Sequence, residues 1–75
     1  MEKKYKIDKI EITDKYLILY ISDSVYKLKY GEISERLANA TNEERKSYRI
    51  SPSGYGIHWN LIDEDLSIPG LINMA

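Results

Sequence analysis

Three strand-like stretches crowd into the first thirty residues, and the polar breaks between them are short enough to demand hairpins. Lys4 to Ile12 alternates imperfectly: Tyr5 and Ile7 share one phase, Ile10 and Ile12 the other. A slip of that kind predicts a bulge near Asp8-Lys9, or a strand partly covered on both faces. Thr13-Asp14-Lys15 breaks the pattern, and Tyr16-Leu17-Ile18-Leu19-Tyr20-Ile21 follows as a continuous apolar run. Such a run suits a strand covered on both faces. Ser22-Asp23-Ser24 reads as a tight turn, because short polar side chains bond back to the nearby backbone. Tyr26, Leu28 and Tyr30 then alternate with Lys27 and Lys29, the pattern of a half-buried strand. Residues 4–30 are therefore expected to form a three-stranded antiparallel meander.

The pattern changes at Gly31, which is expected to end the sheet. Glu32 to Asn39 reads as a helix, with Ile33 and Leu37 four apart on one stripe and Glu32 paired with Arg36 at the same spacing. Thr41-Asn42-Glu43-Glu44 has the form of a capping box, which predicts a second short helix from Asn42 to about Ser47. Tyr48-Arg49-Ile50 returns to strand. Pro52 and the pair Gly54/Gly56 mark a turn into a second short strand ending at Trp59. The tail Ile68-Pro69-Gly70-Leu71-Ile72-Asn73-Met74 reads as a final helical turn with Pro69 at its first position. The expected fold is a small two-layer α+β domain: meander, one or two short helices, then a short β-turn-β segment and a tail. Tyr16 to Ile21, Ile33, Leu37, Ile57, Trp59 and Leu66 are its expected core.

Size and charge narrow the function classes. Seventy-five residues correspond to one domain over 1–75 that buries about 60% of its unfolded surface, with a stability on the order of 5 kcal/mol. With no cysteine there is neither a disulfide nor a thiolate zinc site. Met1-Glu2-Lys3-Lys4 runs straight into a strand pattern, so neither a signal peptide nor a membrane-spanning helix is expected, and the expected location is cytoplasmic. A net charge of −1 provides no strong field for nucleic acid.

Candidate chemistry concentrates after Gly54. Tyr55-Gly56-Ile57-His58-Trp59 holds the one histidine and the one tryptophan, and Asp63-Glu64-Asp65 is the densest acidic run. Three consecutive acids and one histidine do not converge on a metal without a specialised loop. Ser51, Ser53 and Ser67 lie near His58 in sequence, but none has a nucleophile-elbow context. The Gly54/Gly56 pair precedes a strand and lacks the helix and lysine of a phosphate loop. No catalytic role, no cofactor and no metal is expected. Charged residues are seldom buried unpaired, so Asp63, Glu64 and Asp65 are expected to face water together near the end of the Trp59 strand. With His58 and Tyr55 they form a candidate rim for a protein partner. The competing surface is the meander, where Lys3, Lys4, Lys6, Lys9, Lys27 and Lys29 with interleaved tyrosines could hold single-stranded nucleic acid. Glu2, Asp8, Glu11 and Asp14 interrupt it, and edge-strand lysines also guard against aggregation.

The stretches Arg36 to Arg45, Tyr48-Arg49-Ile50, Gly54 to Trp59, Asp63 to Ile68 and Gly70-Leu71-Ile72 together resemble the bacterial DUF2442 family over about residues 10–72. Ser22-Asp23-Ser24 stands where that family more usually has Asp-Gly, and Asn60 where a proline often follows the tryptophan. The resemblance implies a small α+β domain without established catalysis. It also implies a gene beside that of another small protein, an arrangement like a toxin–antitoxin pair, so an antitoxin-like partner role is expected.

Overall fold

The computed structural model describes residues 6–75. Strands β1 (Ile7–Ile12), β2 (Tyr16–Ile21) and β3 (Ser24–Lys29) form the expected antiparallel meander in the order β1-β2-β3. Only Ser22 and Asp23 separate the paired Ile21 and Ser24, and both have positive φ, 47° and 68°. Two left-handed residues in a row match the twist of a two-residue hairpin. The register slips between Ile7 and Lys9, where Asp8 is the extra residue of the expected bulge. That insertion puts Ile7 opposite Ile21 and Ile10 opposite Leu19, so both phases of the first strand reach the core side.

Coverage of β2 departs from expectation. Leu17, Leu19 and Ile21 are buried, but Tyr16, Ile18 and Tyr20 on the other face are only half-buried. Lysine side chains shade that face: the Lys27 ammonium lies 4.2 Å from the Tyr16 ring centre and that of Lys9 lies 5.7 Å from Tyr20. Long stems cover apolar surface while the charges stay in water, so the apolar run needs no second layer on this side.

The expected single helix is two. Helix α1 (Tyr30–Ile33) and helix α2 (Glu35–Asn39) meet at Ser34, whose backbone is extended. Tyr30 and Gly31 belong to the first of these, so the sheet ends at Lys29. Ser34 Oγ accepts from the Leu37 amide at 3.2 Å and so caps the second helix. The break also separates Glu32 from Arg36, which therefore do not form the expected helical pair. Helix α3 (Asn42–Lys46) starts on the expected capping box: the Glu44 amide donates to Thr41 Oγ1 and the Thr41 amide to Glu44 Oε1.

A second antiparallel sheet follows, of β4 (Tyr48–Ile50), β5 (Gly56–Trp59) and β6 (Glu64–Ser67), in the order β4-β5-β6. The turn into β5 is organised by Ser51, whose Oγ accepts from the Tyr55 and Gly56 amides, and by Gly54 at φ 72°. Helix α4 (Ile68–Met74) is capped by Ser67 and carries Pro69 in its first turn. Leu17, Leu19, Leu28, Leu37, Ile57, Trp59, Ile68 and Leu71 from both sheets and two helices share one core; Ile33 and Leu66 pack only at its margin.

Candidate functional site

Alternation along the second sheet sorts its side chains into two faces. Tyr48, Ile57, Trp59 and Leu66 pack on the core side. On the other side the pairing sets Arg49 opposite His58 and His58 opposite Asp65. Three ionisable groups thus form one cross-strand row at the distance where side chains interact directly. His58 Nδ1 and Asp65 Oδ1 are 2.8 Å apart, with the two side chains 36% and 79% exposed. Contact with a carboxylate places the proton on Nδ1, so in the neutral ring Nε2 is left as an acceptor. Arg49 was not singled out from sequence. Its only signal there is its place between Tyr48 and Ile50, the outward position of a three-residue strand.

The acidic triplet does not form one rim. Glu64 pairs with Trp59 and lies on the core side, where its Oε2 accepts from Ser34 Oγ at 2.6 Å and its Oε1 from the Asp65 amide at 3.0 Å. Asp63 sits in the turn with φ 51°, and its carbonyl and that of Ile62 accept from Arg36 Nη1. Asp65 alone reaches the outward row. The reason is the strand itself: sequence neighbours in β6 point to opposite faces, and no strand is expected over Glu64–Ser67 from the sequence pattern. Tyr55, in the turn before β5, is 54% exposed, and its carbonyl accepts from the Ile68 amide at 2.7 Å. Among the described residues, no three His, Cys, Asp or Glu side chains converge in a way that could hold a metal ion.

These different surroundings predict different costs. Glu64→Ala leaves the buried Ser34 hydroxyl without its acceptor and should cost about 1–2 kcal/mol. Asp65→Asn removes an exposed charge and should change stability by less than about 0.5 kcal/mol. Urea titrations of both variants test this, and equal costs would mean that the Ser34 bond does not matter.

The lysine-bearing surface is the outward face of the first sheet. Lys9 and Glu11 of β1, Tyr16, Ile18 and Tyr20 of β2 and Lys27 and Lys29 of β3 share it by register. Lys6 precedes β1, and Lys3, Lys4 and Glu2 lie outside the described residues. Tyr26 and Tyr30 face the core instead. Tyr20 donates its hydroxyl to Glu11 Oε1 at 2.5 Å, and with Lys9 nearby this holds the Glu11 carboxyl below the usual range. The stability that Glu11 adds is therefore present above its unfolded-state pKa and lost as pH falls through the lower folded one. In Tyr20→Phe the carboxyl should titrate at higher pH, as followed by the NMR shift of its carboxyl carbon. An unmoved titration would show that the hydroxyl bond is absent in solution.

Comparison with known proteins bears on family and fold. The family model described as "Protein of unknown function (DUF2442)" matches residues 7–75. The chain is a member of the DUF2442 family. Its fold recurs in a crystal structure of a protein of unknown function from Rhodospirillum rubrum, at a TM-score of 0.77 and 23% identity, with 95% of this chain and 88% of that one covered. It recurs again in the solution structure of the uncharacterized protein CV0863 from Chromobacterium violaceum, at a TM-score of 0.71 and 22% identity, over 91% of this chain and 64% of that one. At such identities the likeness speaks for the fold alone. No curated protein matches this DUF2442 chain. Among its described residues no helix is long and apolar enough to cross a membrane.

Proposed function

We propose that this DUF2442 chain is a protein-interaction domain, an antitoxin-like partner of another small protein, and that it docks through the outward face of β4-β5-β6. The observation that carries the reading is the Arg49, His58 and Asp65 row. Packing does not require it, yet the 2.8 Å contact holds His58 in one orientation on a rigid sheet. Tyr55, in the turn that leads into β5 and 54% exposed, adds aromatic surface of the kind enriched in interfaces. With Asp65 as the one member of the triplet in the row, the surface is of mixed charge rather than acidic. It suits a partner that presents both donors and acceptors, with the charges acting mainly on encounter and orientation.

The experiment pairs the tagged domain with the product of the neighbouring gene. His58→Asn/Asp65→Asn should melt within a few degrees of the parent, because both side chains are outward. It should also associate with the partner more slowly, with the deficit largest at low salt. A folded double variant that captures the partner at the parental rate would place the docking surface elsewhere.

A further inference from the structure

The first sheet carries a second, separate surface. On its central strand Tyr16, Ile18 and Tyr20 point outward at two-residue spacing, which sets successive side chains about 6.6–6.8 Å apart. Lys9 flanks this row on one edge strand and Lys27 and Lys29 on the other, by direct cross-strand pairing with Tyr20, Ile18 and Tyr16. Among the described residues, Glu11 is the acid that direct pairing sets on this face, and it is already engaged by the Tyr20 hydroxyl and by Lys9 Nζ at 3.5 Å; Asp8 lies in the bulge at the edge of the patch. The result is a patch with a net positive charge in a chain whose total is −1.

We propose that this face binds single-stranded nucleic acid, with bases stacked on Tyr16 and Tyr20 and phosphates along Lys27 and Lys29. Aromatic rings on a sheet, bordered by cations, are the arrangement that splayed bases and their backbone require. The Tyr16 ring already holds a cation on its face, the Lys27 ammonium at 4.2 Å. A base entering there displaces a flexible, exposed side chain outward, towards the phosphate it would neutralise. Beyond Tyr16 and Lys29 the face opens into a cleft of about 440 Å³, where Lys15 and Arg45 are balanced by Asp14 and Glu32, so the positive charge of the patch rests on its lysines. A second copy of the chain is a poor occupant, because the same face would set lysines against lysines. An acidic protein segment would satisfy the lysines but leave the ring faces unused.

The test is fluorescence anisotropy of a labelled oligouridine of about 12 nucleotides, titrated with the whole chain between about 20 and 200 mM salt. The parent should bind, with affinity falling as salt rises. Lys27→Gln/Lys29→Gln changes two exposed side chains, and should reduce the log–log salt slope by about 1.4. Tyr16→Leu and Tyr20→Leu should each weaken binding at least about fivefold with the slope little changed. In the parent, the Tyr16 and Tyr20 ring proton resonances should shift upfield on titration, which tests stacking even if a tyrosine variant fails to fold. Absence of binding at the lowest salt overturns the proposal. So does an unchanged salt slope in the double lysine variant, or unshifted ring resonances. Equal affinity for a labelled oligoglutamate of matched charge would also overturn it, in favour of an acidic peptide.

Discussion

Replacing Trp59 with alanine is expected to cost about 3–5 kcal/mol and to bring the domain close to unfolding at room temperature. The ring is fully buried, at 0% exposure, and is the largest side chain in the core. It is tied in two ways. Its Nε1 donates to the Arg45 carbonyl at 2.9 Å, which connects β5 to the end of α3, and the Tyr48 ring packs at a tilt with centroids 6.5 Å apart. Alanine removes the packing and leaves a buried carbonyl unpaired in a chain that has no disulfide or second core to compensate. Trp59→Phe, which keeps most of the packing but not the donor, should fall between parent and alanine. Because Trp59 is the only tryptophan, the denaturation is followed by far-ultraviolet circular dichroism rather than by fluorescence. An alanine variant with a parental midpoint would make Trp59 dispensable and the shared core of the two sheets a minor contributor.

Arg45 carries the second large effect. It is 8% exposed, and among the described residues no carboxylate lies within ion-pair distance of it. Its guanidinium is spent on backbone instead. Nε donates to Leu37 O at 2.8 Å and Nη2 to Ala38 O at 3.0 Å, both near the end of α2, while Nη1 donates to Asp14 O and Asn42 Oδ1. A positive charge on the last carbonyls of a helix is favoured by their partial negative charge. The guanidinium carbon Cζ also lies over the Tyr30 ring, 4.0 Å from its centre. Burial pushes the Tyr30 hydroxyl pKa up, so it stays protonated and serves the Thr13 and Tyr16 carbonyls. One arginine thus joins the helices to the first β-turn. Arg45→Met keeps the stem and removes every donor, and should cost about 2–4 kcal/mol. Arg45→Lys should recover little, because a single ammonium cannot span acceptors arranged around a planar fork. Urea unfolding of the two variants decides it: a methionine variant within about 1 kcal/mol of the parent would mean that water satisfies those carbonyls equally well.

The sequence by itself determined what local physics controls. Period-two alternation and short polar breaks specify the meander, and Thr41 with Glu44 specifies the start of α3, because each depends on residues within a few positions of one another. The phase slip before Ile10 allowed either a bulge near Asp8-Lys9 or a strand partly covered on both faces, and the pairing with β2 selects the bulge. The family was legible for a similar reason, since motifs such as Gly56-Ile57-His58-Trp59 are contiguous. Tertiary structure alone decided the rest. Glu64-Asp65-Leu66-Ser67 has little intrinsic strand preference and becomes a strand only because β5 offers it an edge, and that pairing divides the acids between two faces. Ser34 interrupts a plausible helix because its hydroxyl gains both Leu37 and Glu64, a partner thirty positions away. The outer face of β2 stays half open because lysines from the neighbouring strands shade it. Arg45 leaves no mark in the hydrophobic pattern, since its partners are backbone carbonyls of α2 and of Asp14 together with the Asn42 side-chain oxygen, and only the folded chain brings the two carbonyl-bearing segments within hydrogen-bond reach of one side chain.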